Sequence, residues 1–369
     1  MALNHTFIDT PYDLLIDCAH VRDGYPNASL ALCVISSILG ALCAYFLPLV
    51  CTCGLFGNIL TTVLFLRALR RPTRQMIYLA CLASADATTQ FLFGWLWLFP
   101  AKGLPFATNG RVYFFLWEQS TALCQFHRFA YSFTSTLSAN ILLLAALDRY
   151  FSINWPLKFV SVPLIYAWYA IGVVVLLSAL MMLPFAVLTQ WKITSGKLTC
   201  WIDSDQYFLQ AYHVLFSNAC LVQPMCTGLL NILFLIRIRR MLRPGSSSDA
   251  QDSIEQREYS ATITLLILSA VTLSTAFPQS IAYLVAFFLY LASPHHSLSR
   301  VPVRLAFNIA DIAWNVIFIQ TTCNIVIYFS RIKRFRRIII NSLLCRKTGL
   351  NRPSKNLTSA NYCTDTRQD

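Results

Sequence analysis

Seven long apolar runs dominate the chain and restrict it to a membrane-spanning fold. Of its 369 residues, 56% are hydrophobic and 12% are charged, whereas soluble domains carry roughly 25% charged residues. A helix needs about 20 apolar residues to cross the hydrocarbon core of a bilayer. The sequence therefore predicts an all-α membrane protein with a seven-transmembrane helix bundle. Its spans one to seven lie near residues 38–66, 75–99, 121–147, 163–188, 208–236, 260–291 and 305–329.

The charges between the runs predict the orientation of the bundle. Basic residues mark cytoplasmic loops, and they cluster at 67–74, 237–243 and 331–337, after spans one, five and seven. The first 37 residues instead contain four aspartates and a single arginine, Arg22. We therefore place the N-terminus outside the cell and the C-terminal tail in the cytoplasm. The net charge of +13 follows from this asymmetry, and it does not indicate binding to nucleic acid.

These boundaries divide the chain into four parts. Residues 1–37 are an extracellular N-terminus and 38–329 form the bundle. Residues 330–345 are basic and amphipathic, which predicts a short eighth helix on the cytoplasmic membrane surface, and 346–369 form a polar, disordered tail. Apolar sequence begins already at Leu30, so an additional helix or a cleaved signal is an alternative for span one. The first ten residues lack the basic and apolar stretch of a signal peptide.

Span three carries polar landmarks at both ends. Cys124 lies at its outer end and Asp148-Arg149-Tyr150 at its inner end, with 25 residues from Cys124 to Arg149. At about 1.5 Å per residue this separation spans the hydrocarbon core. The Arg149 guanidinium stays charged in a protein and needs a partner. Asp148 is one candidate, and Glu258 is another, although a solvated position for Glu258 is equally compatible with the sequence.

Further polar residues lie inside the apolar runs. Asn58 in span one and Asn324 in span seven place amides among apolar side chains, and these amides need partners across helices. Asp86 places a carboxylate near mid-membrane in span two, which is costly and indicates a functional site. The alternative for Asp86 is a neutral carboxyl that hydrogen bonds hold in place.

The motifs together resemble the rhodopsin-like G-protein-coupled receptors, and the divergent pattern is similar to peptide-type receptors of invertebrates. The resemblance covers about residues 38–345 and every span. The residues that carry it are Gly57, Asn58, Asp86, Trp117, Cys124, Asp148, Arg149, Tyr150, Trp168, Pro224, Pro278, Asn324 and Tyr328.

The resemblance implies three sites. A disulfide between Cys124 and Cys200 would tie span three to the second outer loop, and Cys18 and Cys33 are candidates for a further pair. A polar core would bind a sodium ion as an allosteric modulator, through Asn58, Asp86, Ser138 and Asn324. Coupling to a heterotrimeric G protein and the switch between states would use Asp148, Arg149, Tyr150, Glu258, Pro278, Asn324 and Tyr328.

The chain also departs from the family pattern at positions that belong to the switch. Ile325 replaces the usual proline of span seven, and Ala276 and Thr272 replace a tryptophan and a phenylalanine of span six. Ile232 stands in span five where tyrosine is common. We expect that other residues contribute to the switch, or that basal activity is altered.

The resemblance also restricts the ligand. A retinal-binding receptor needs a lysine at the position of Phe318, and an amine receptor needs an aspartate at the position of Tyr131. An outer cavity with aromatic walls and an acidic rim favours a short basic or amidated peptide, although Lys192, Lys197, Arg300 and Arg304 lie nearby. The pocket candidates are Trp97, Tyr131, Trp201, Tyr283, Asp311 and Trp314.

The sequence argues against an enzyme and leaves two alternatives to a peptide receptor. We find no arrangement of nucleophile and base, no phosphate-binding loop and no close Cys/His spacing, so the sequence does not predict an enzyme. A seven-helix transporter or channel, or a receptor for a non-peptide ligand, remains an alternative. Glycosylation is predicted at Asn4 and Asn27, where the acceptor pattern lies on the outer side. Palmitoylation is predicted at Cys345, at the end of the surface helix.

Overall fold

The computed structural model is almost entirely helical. It describes residues 12–68, 73–114, 116, 119–155, 158–159, 161–194, 197–202, 207–212, 215–216, 222–241, 249–292, 301–333 and 335–340. Six of the described helices are long and apolar enough to cross a membrane, and a seventh, shorter apolar helix covers Val222–Arg237. The predicted seven-helix bundle is therefore confirmed.

The helices of the bundle correspond to the predicted spans, but spans one, two and six are longer than predicted. Spans one to four are helical over Leu30–Arg67, Arg74–Ala107, Thr121–Asn154 and Ile165–Leu188. Span five contains the helix Val222–Met241, preceded by the short helix Tyr207–Tyr212. Spans six and seven are helical over Asp249–Leu291 and Val301–Arg331.

Hydroxyl side chains define where three of these helices begin. The hydroxyl oxygens of Ser29, Thr73 and Ser120 accept hydrogen bonds from the backbone N–H three residues later, at 3.3, 3.4 and 3.2 Å. Such N-caps satisfy one of the otherwise unpaired N–H groups of the first turn. The cap at Ser29 starts span one at Leu30, and one continuous helix therefore accounts for the whole apolar stretch that begins there.

Span two changes its backbone geometry halfway. Its first part, Arg74–Thr89, is α-helical, and Gln90–Gly103 forms a π-helix that contains Pro100. A π-helix is wider than an α-helix and frequently occurs at functional sites. The change of geometry starts at Gln90, one turn beyond Asp86, and so rotates the aromatic outer half of span two relative to its inner half.

A β-hairpin covers the outer side between spans four and five. Strand β1, Thr189–Thr194, pairs antiparallel with strand β2, Lys197–Ile202. This hairpin was not predicted from the sequence. It places Cys200 opposite Trp191 in the register, on the strand that precedes span five.

A short helix, Asp13–Arg22, lies ahead of span one and is here called the N-terminal helix. Asp13, Leu14 and Asp17 are buried on one of its faces. Leu14 belongs to a buried apolar cluster of the outer half of the bundle, together with Tyr283 and Trp314. The predicted extracellular segment therefore contains a folded element that packs onto the bundle.

The predicted surface helix is described in part. Residues 335–340 are helical, and Phe335 is fully buried against Phe65 and Tyr328, with ring centroids 5.2 and 6.2 Å apart. This contact docks the segment onto the inner ends of spans one and seven. Cys345 and the predicted tail lie outside the described residues.

Candidate functional site

The inner end of span three holds a cluster of charged and polar side chains. Arg149 Nη2 lies 3.4 Å from Asp148 Oδ2, as the sequence suggested. Asp148 Oδ1 also lies 3.5 Å from Arg74 Nε and accepts a hydrogen bond from the Tyr78 hydroxyl at 3.4 Å. Asp148 therefore joins Arg149 to span two, and Arg74 and Tyr78 are partners that sequence reasoning missed. The side chain of Glu258 lies outside the described residues.

Arg74 has further contacts that fix its position. Its guanidinium carbon lies 4.7 Å from the centre of the Phe159 ring, and its Nη2 is 3.5 Å from the Ser152 hydroxyl oxygen. Tyr150, the third residue of the inner motif, is half-buried and packs edge-on against Phe151. The Asp148 carboxylate is thus held between two arginines, one of which is itself anchored to the loop beyond span three.

The polar core predicted around Asp86 comes together in the structure. Asp86 Oδ1 accepts a hydrogen bond of 2.6 Å from the Ser138 hydroxyl, and Oδ2 accepts one of 3.2 Å from Asn324 Nδ2. All three residues are among the oxygen-bearing side chains that a hard cation such as sodium prefers. Asn58 is buried but not in this group, because its amide donates to Gln90 Oε1 at 3.3 Å.

Gln90 organises a second group of polar contacts next to the first. Its Nε2 donates to the Thr321 hydroxyl at 2.8 Å and to the Thr322 hydroxyl at 3.0 Å. Gly54 permits this approach, since a Cβ at that position would collide with the Gln90 amide. The amide lies one turn after Asp86 in span two, and that spacing is the sequence signal that could have identified it.

A hydrogen-bonded chain extends from Asp86 to span six. Gln320 Nε2 donates to Asn324 Oδ1 at 3.0 Å and to the Thr272 hydroxyl at 3.2 Å. Thr272 stands where the family usually has phenylalanine, so a hydrogen bond replaces an apolar contact between spans six and seven. Thr272 is one of the departures from the family pattern seen in the sequence, whereas its partner Gln320 was not predicted.

A cavity of about 100 Å³ lies directly above this polar core. Asp86, Thr272, Ala276, Asn324 and Trp314 are among the residues that line it. Ala276, which stands where the family pattern has tryptophan, lines this cavity with a small side chain. The cavity connects the polar core to the aromatic residues of the outer half.

The outer half of the bundle contains a packed group of aromatic rings. Phe93 lies at its centre, with ring centroids 4.7 Å from Trp97, 5.5 Å from Tyr131 and 4.9 Å from Trp314. Trp97, Tyr131 and Trp314 were pocket candidates, and the structure brings them together from spans two, three and seven. The side chain of Trp201 lies outside the described residues.

Charged groups line the same region. The Tyr283 hydroxyl donates to Asp311 Oδ1 at 3.3 Å, and Lys102 Nζ lies 3.4 Å from Asp311 Oδ2. Arg128 is buried one turn above Tyr131 and donates to its hydroxyl oxygen at 3.1 Å. Tyr283 and Asp311 were predicted for the pocket, whereas Lys102 and Arg128 were missed because each is a single cation within an apolar run.

Both disulfides that the sequence suggested are present in the structure. Cys124 is bonded to Cys200, and Cys18 is bonded to Cys33. The first bond holds strand β2 over span three, where Arg128 Nη2 donates to the Cys200 carbonyl oxygen at 2.9 Å. The second bond joins the N-terminal helix to the beginning of span one.

The remaining switch residues occupy the inner half and the middle of the bundle. Tyr328 is buried, and its ring centroid lies 5.5 Å from that of Phe65. Pro278 is inside the helix of span six. Asn27 is exposed on the outer side, whereas Asn4 lies outside the described residues.

The fold and these clusters define a seven-span membrane protein with a buried aromatic and charged cluster in its outer half and a charged inner face on the same helices. The profile of the 7 transmembrane receptor (rhodopsin family) matches residues 57–329. The chain therefore belongs to the rhodopsin family of seven-transmembrane receptors. Comparison with curated proteins finds no match to this chain.

Membership in this family determines the general class of function. The protein is a multi-pass membrane protein, consistent with the plasma membrane, and it is a receptor and not an enzyme. The family implies an extracellular ligand and coupling to a G protein.

The Cys124–Cys200 disulfide should contribute strongly to stability. The bond closes a loop across 76 residues, which is worth on the order of 4 kcal/mol in the chain-entropy model. We expect Cys124→Ala to lower the melting temperature of the purified receptor and its surface expression. Cys226→Ala, which removes an exposed free cysteine, is the matched control. Equal melting temperatures for the two variants, or free thiols at both positions in peptide mapping without reduction, would contradict this prediction.

Asp86 should couple the polar core to the outer pocket. Asp86→Asn keeps the shape of the side chain but removes the charge that a sodium ion would need. We expect weaker sodium dependence of agonist binding, because two ligands that are linked through one protein change each other's affinity by the same factor. Binding is measured in sodium and in an impermeant organic cation, with Ser84→Ala, an exposed position in the same helix as Asp86, as control. Absence of any sodium effect on the unmodified receptor would argue against the site.

Proposed function

We propose that the protein binds an extracellular peptide, most simply a neuropeptide, and activates a heterotrimeric G protein through an outward movement of span six. The observation that carries this proposal is the arrangement along span three. Tyr131 faces the outer aromatic group, Ser138 contacts Asp86, and Asp148 holds Arg149 at the inner end. One helix thus links the outer pocket, the polar core and the inner charged cluster.

The outer pocket is suited to a ligand larger than a simple amine. Its described residues come from spans two, three, six and seven and include Trp97, Tyr131, Tyr283, Asp311 and Trp314. The aromatic surfaces offer apolar contact area, and their faces attract cationic groups. Asp311, Tyr283 and Lys102 supply a small number of polar groups that orient a bound molecule. A peptide combines apolar side chains with backbone and charged groups and matches such a surface.

The inner cluster is suited to a switch with two states. In this structure Arg149 and Asp148 are paired, which corresponds to a resting arrangement. A G protein that binds Arg149 would favour the state in which span six has moved away, and an outer ligand shifts the equilibrium if it binds that state more tightly. A series of hydrogen bonds links Thr272 of span six through Gln320 and Asn324 to Asp86. We expect these hydrogen bonds to differ between the two states.

The proposal is tested by a screen of neuropeptides against cells that express the full chain. The readouts are calcium and cAMP in cells, followed by guanine-nucleotide exchange on G protein in membranes that contain the receptor. We expect at least one peptide to increase exchange in a saturable manner. Solute flux into vesicles that contain the purified chain, without effect on nucleotide exchange, would instead support a transporter or channel. Activation by small non-peptide molecules alone would correct the ligand class.

A further inference from the structure

The N-terminal helix buries its acidic face in the outer end of the bundle. Asp13 and Asp17 are only 6% and 5% exposed, although they belong to a segment outside the membrane-spanning helices. They lie four residues apart and therefore on the same face of a helix. A carboxylate is rarely buried unless it is paired. The side chains that pair with Asp13 and Asp17 therefore show which groups hold this helix in place.

Two cations of the bundle bind this acidic face. Arg304 Nη2, from span seven, lies 3.0 Å from Asp17 Oδ2 and 3.2 Å from Asp13 Oδ1. Lys102 Nζ, from the outer end of span two, lies 3.5 Å from Asp13 Oδ2. The Ser36 hydroxyl adds a hydrogen bond of 2.6 Å to Asp17. Lys102 and Arg304 are 4% and 3% exposed, so these ion pairs are formed away from solvent.

Lys102 also contacts the outer aromatic and charged cluster described above. Lys102 Nζ lies 3.4 Å from Asp311 Oδ2, and Asp311 accepts the hydrogen bond of Tyr283. Among the described ion pairs, Lys102 and Arg304 face three carboxylates when the N-terminal helix is docked. If the helix leaves, Arg304 loses the Asp13 and Asp17 carboxylates, and Lys102 loses Asp13. The Arg304 guanidinium would then stay in a poorly solvated environment without these two carboxylates, which favours an anionic ligand in their place.

The N-terminal helix is also fastened to the bundle next to this site. The Cys18–Cys33 disulfide ties its middle to the beginning of span one, and the Tyr12 ring lies against Gly110 at the outer loop after span two. A short tether holds a group at an effective concentration in the millimolar range. The two carboxylates can therefore occupy the cationic site even if each contact is individually weak.

We propose that Lys102 and Arg304 form a carboxylate-binding site at the mouth of the receptor, and that the N-terminal helix is a tethered occupant of this site. The external ligand that this pocket accepts is a peptide with two acidic side chains one helical turn apart, which replaces Asp13 and Asp17. This inference rests on the proposed function as a peptide receptor and specifies the chemistry of the peptide. It differs from the basic or amidated peptide that the sequence favoured, because the structure buries the cations Lys102 and Arg304 at this end of the bundle.

The test uses the full chain on cells and two synthetic fluorescent peptides. The acidic peptide has the sequence of residues 12–25 with serine in place of Cys18, and the control peptide has in addition asparagine in place of both Asp13 and Asp17. The receptor variant Asp13→Asn/Asp17→Asn removes the two carboxylates that pair the N-terminal helix with Lys102 and Arg304. We expect this variant to bind the acidic peptide saturably, at least about tenfold more tightly than the unmodified receptor does.

Matched variants identify the cationic site. The further change Arg304→Gln should reduce binding of the acidic peptide by about tenfold or more, and the control peptide should bind no variant saturably. Asp23→Asn, which removes an exposed acid next to the same helix, should leave binding unchanged from the unmodified receptor. Equal binding of the acidic and control peptides, or no effect of Arg304→Gln, would overturn the proposal.

A second variant covers the case in which the double substitution does not reach the cell surface. Cys18→Ser/Cys33→Ser removes the disulfide but keeps all charges, so the acidic peptide should exchange with the receptor's own helix. Absence of acidic-peptide binding to every surface-expressed variant would overturn the proposal. Peptide binding is measured without G protein, so this failure is separate from a failure of coupling. Nucleotide exchange in response to other peptides would then still support the proposed function.

Discussion

Replacement of Arg149 by alanine is expected to reduce nucleotide exchange on the G protein by about tenfold or more, while binding at the outer pocket persists. A hydrogen bond to a charged group is worth about 1.5–3 kcal/mol, which corresponds to roughly a 10- to 100-fold change in an equilibrium. Arg149 is 12% exposed at its side chain and is held by Asp148, so its release toward the G protein requires a rearrangement of the inner face. Exchange and ligand binding are measured in the same membranes.

The control for this variant is Arg331→Ala, which removes an exposed cation at the inner end of span seven. We expect a much smaller effect there, because an exposed charge is solvated in both states. Glu258→Ala is expected to raise basal exchange if the glutamate contributes to the resting arrangement. Full coupling by the Arg149→Ala variant would contradict the mechanism.

Replacement of Ala276 by tryptophan is expected to lower basal exchange and to shift the agonist dose–response curve. The cavity beside Ala276 measures about 100 Å³, and at roughly 24 cal/mol per Å³ its filling is worth at most about 2.4 kcal/mol. A tryptophan there would pack between the polar core and Trp314 and restore a bulky contact of span six. It would therefore stabilise the resting arrangement over the state in which span six has moved outward. Basal and agonist-stimulated exchange are compared at equal surface expression.

The matched control is Phe277→Trp, at the next position of the same helix. Phe277 is 47% exposed and faces away from the cavity, so tryptophan there adds a similar group without filling it. We expect nearly unchanged basal exchange for this control. Unchanged basal exchange and unchanged agonist potency in Ala276→Trp would show that the open space has no part in the switch.

The departures from the family pattern acquire a physical meaning in the structure. Thr272 forms a hydrogen bond to Gln320, which links span six to the Asp86 core through Asn324. The small side chain of Ala276 lines the cavity next to these hydrogen bonds. Polar contacts and a cavity are therefore found where the family pattern has bulky apolar side chains. We expect the switch of this receptor to depend on hydrogen bonds more than on the movement of an aromatic ring.

The number of spans, their order and the main polar landmarks could be predicted from the sequence alone. Apolar runs of about 20 residues predict membrane helices because each helix satisfies its own backbone hydrogen bonds in lipid. A carboxylate such as Asp86 or a charged pair such as Asp148 and Arg149 stands out because burial in the membrane is costly. These signals are local, since each depends on a residue and its immediate apolar surroundings.

The contacts between residues that are far apart in the sequence depend on the packing of the helices and could not be predicted. In the sequence, Asp13 and Asp17 served as markers of the outer side, whereas the fold buries them against Lys102 and Arg304, up to 291 residues away. Asp148 likewise gains Arg74 and Tyr78, and Thr272 gains Gln320. Such pairs leave no periodic or local pattern in the chain. Their contact depends on helix rotation and on packing between helices, which the lengths and charges of the individual spans do not specify.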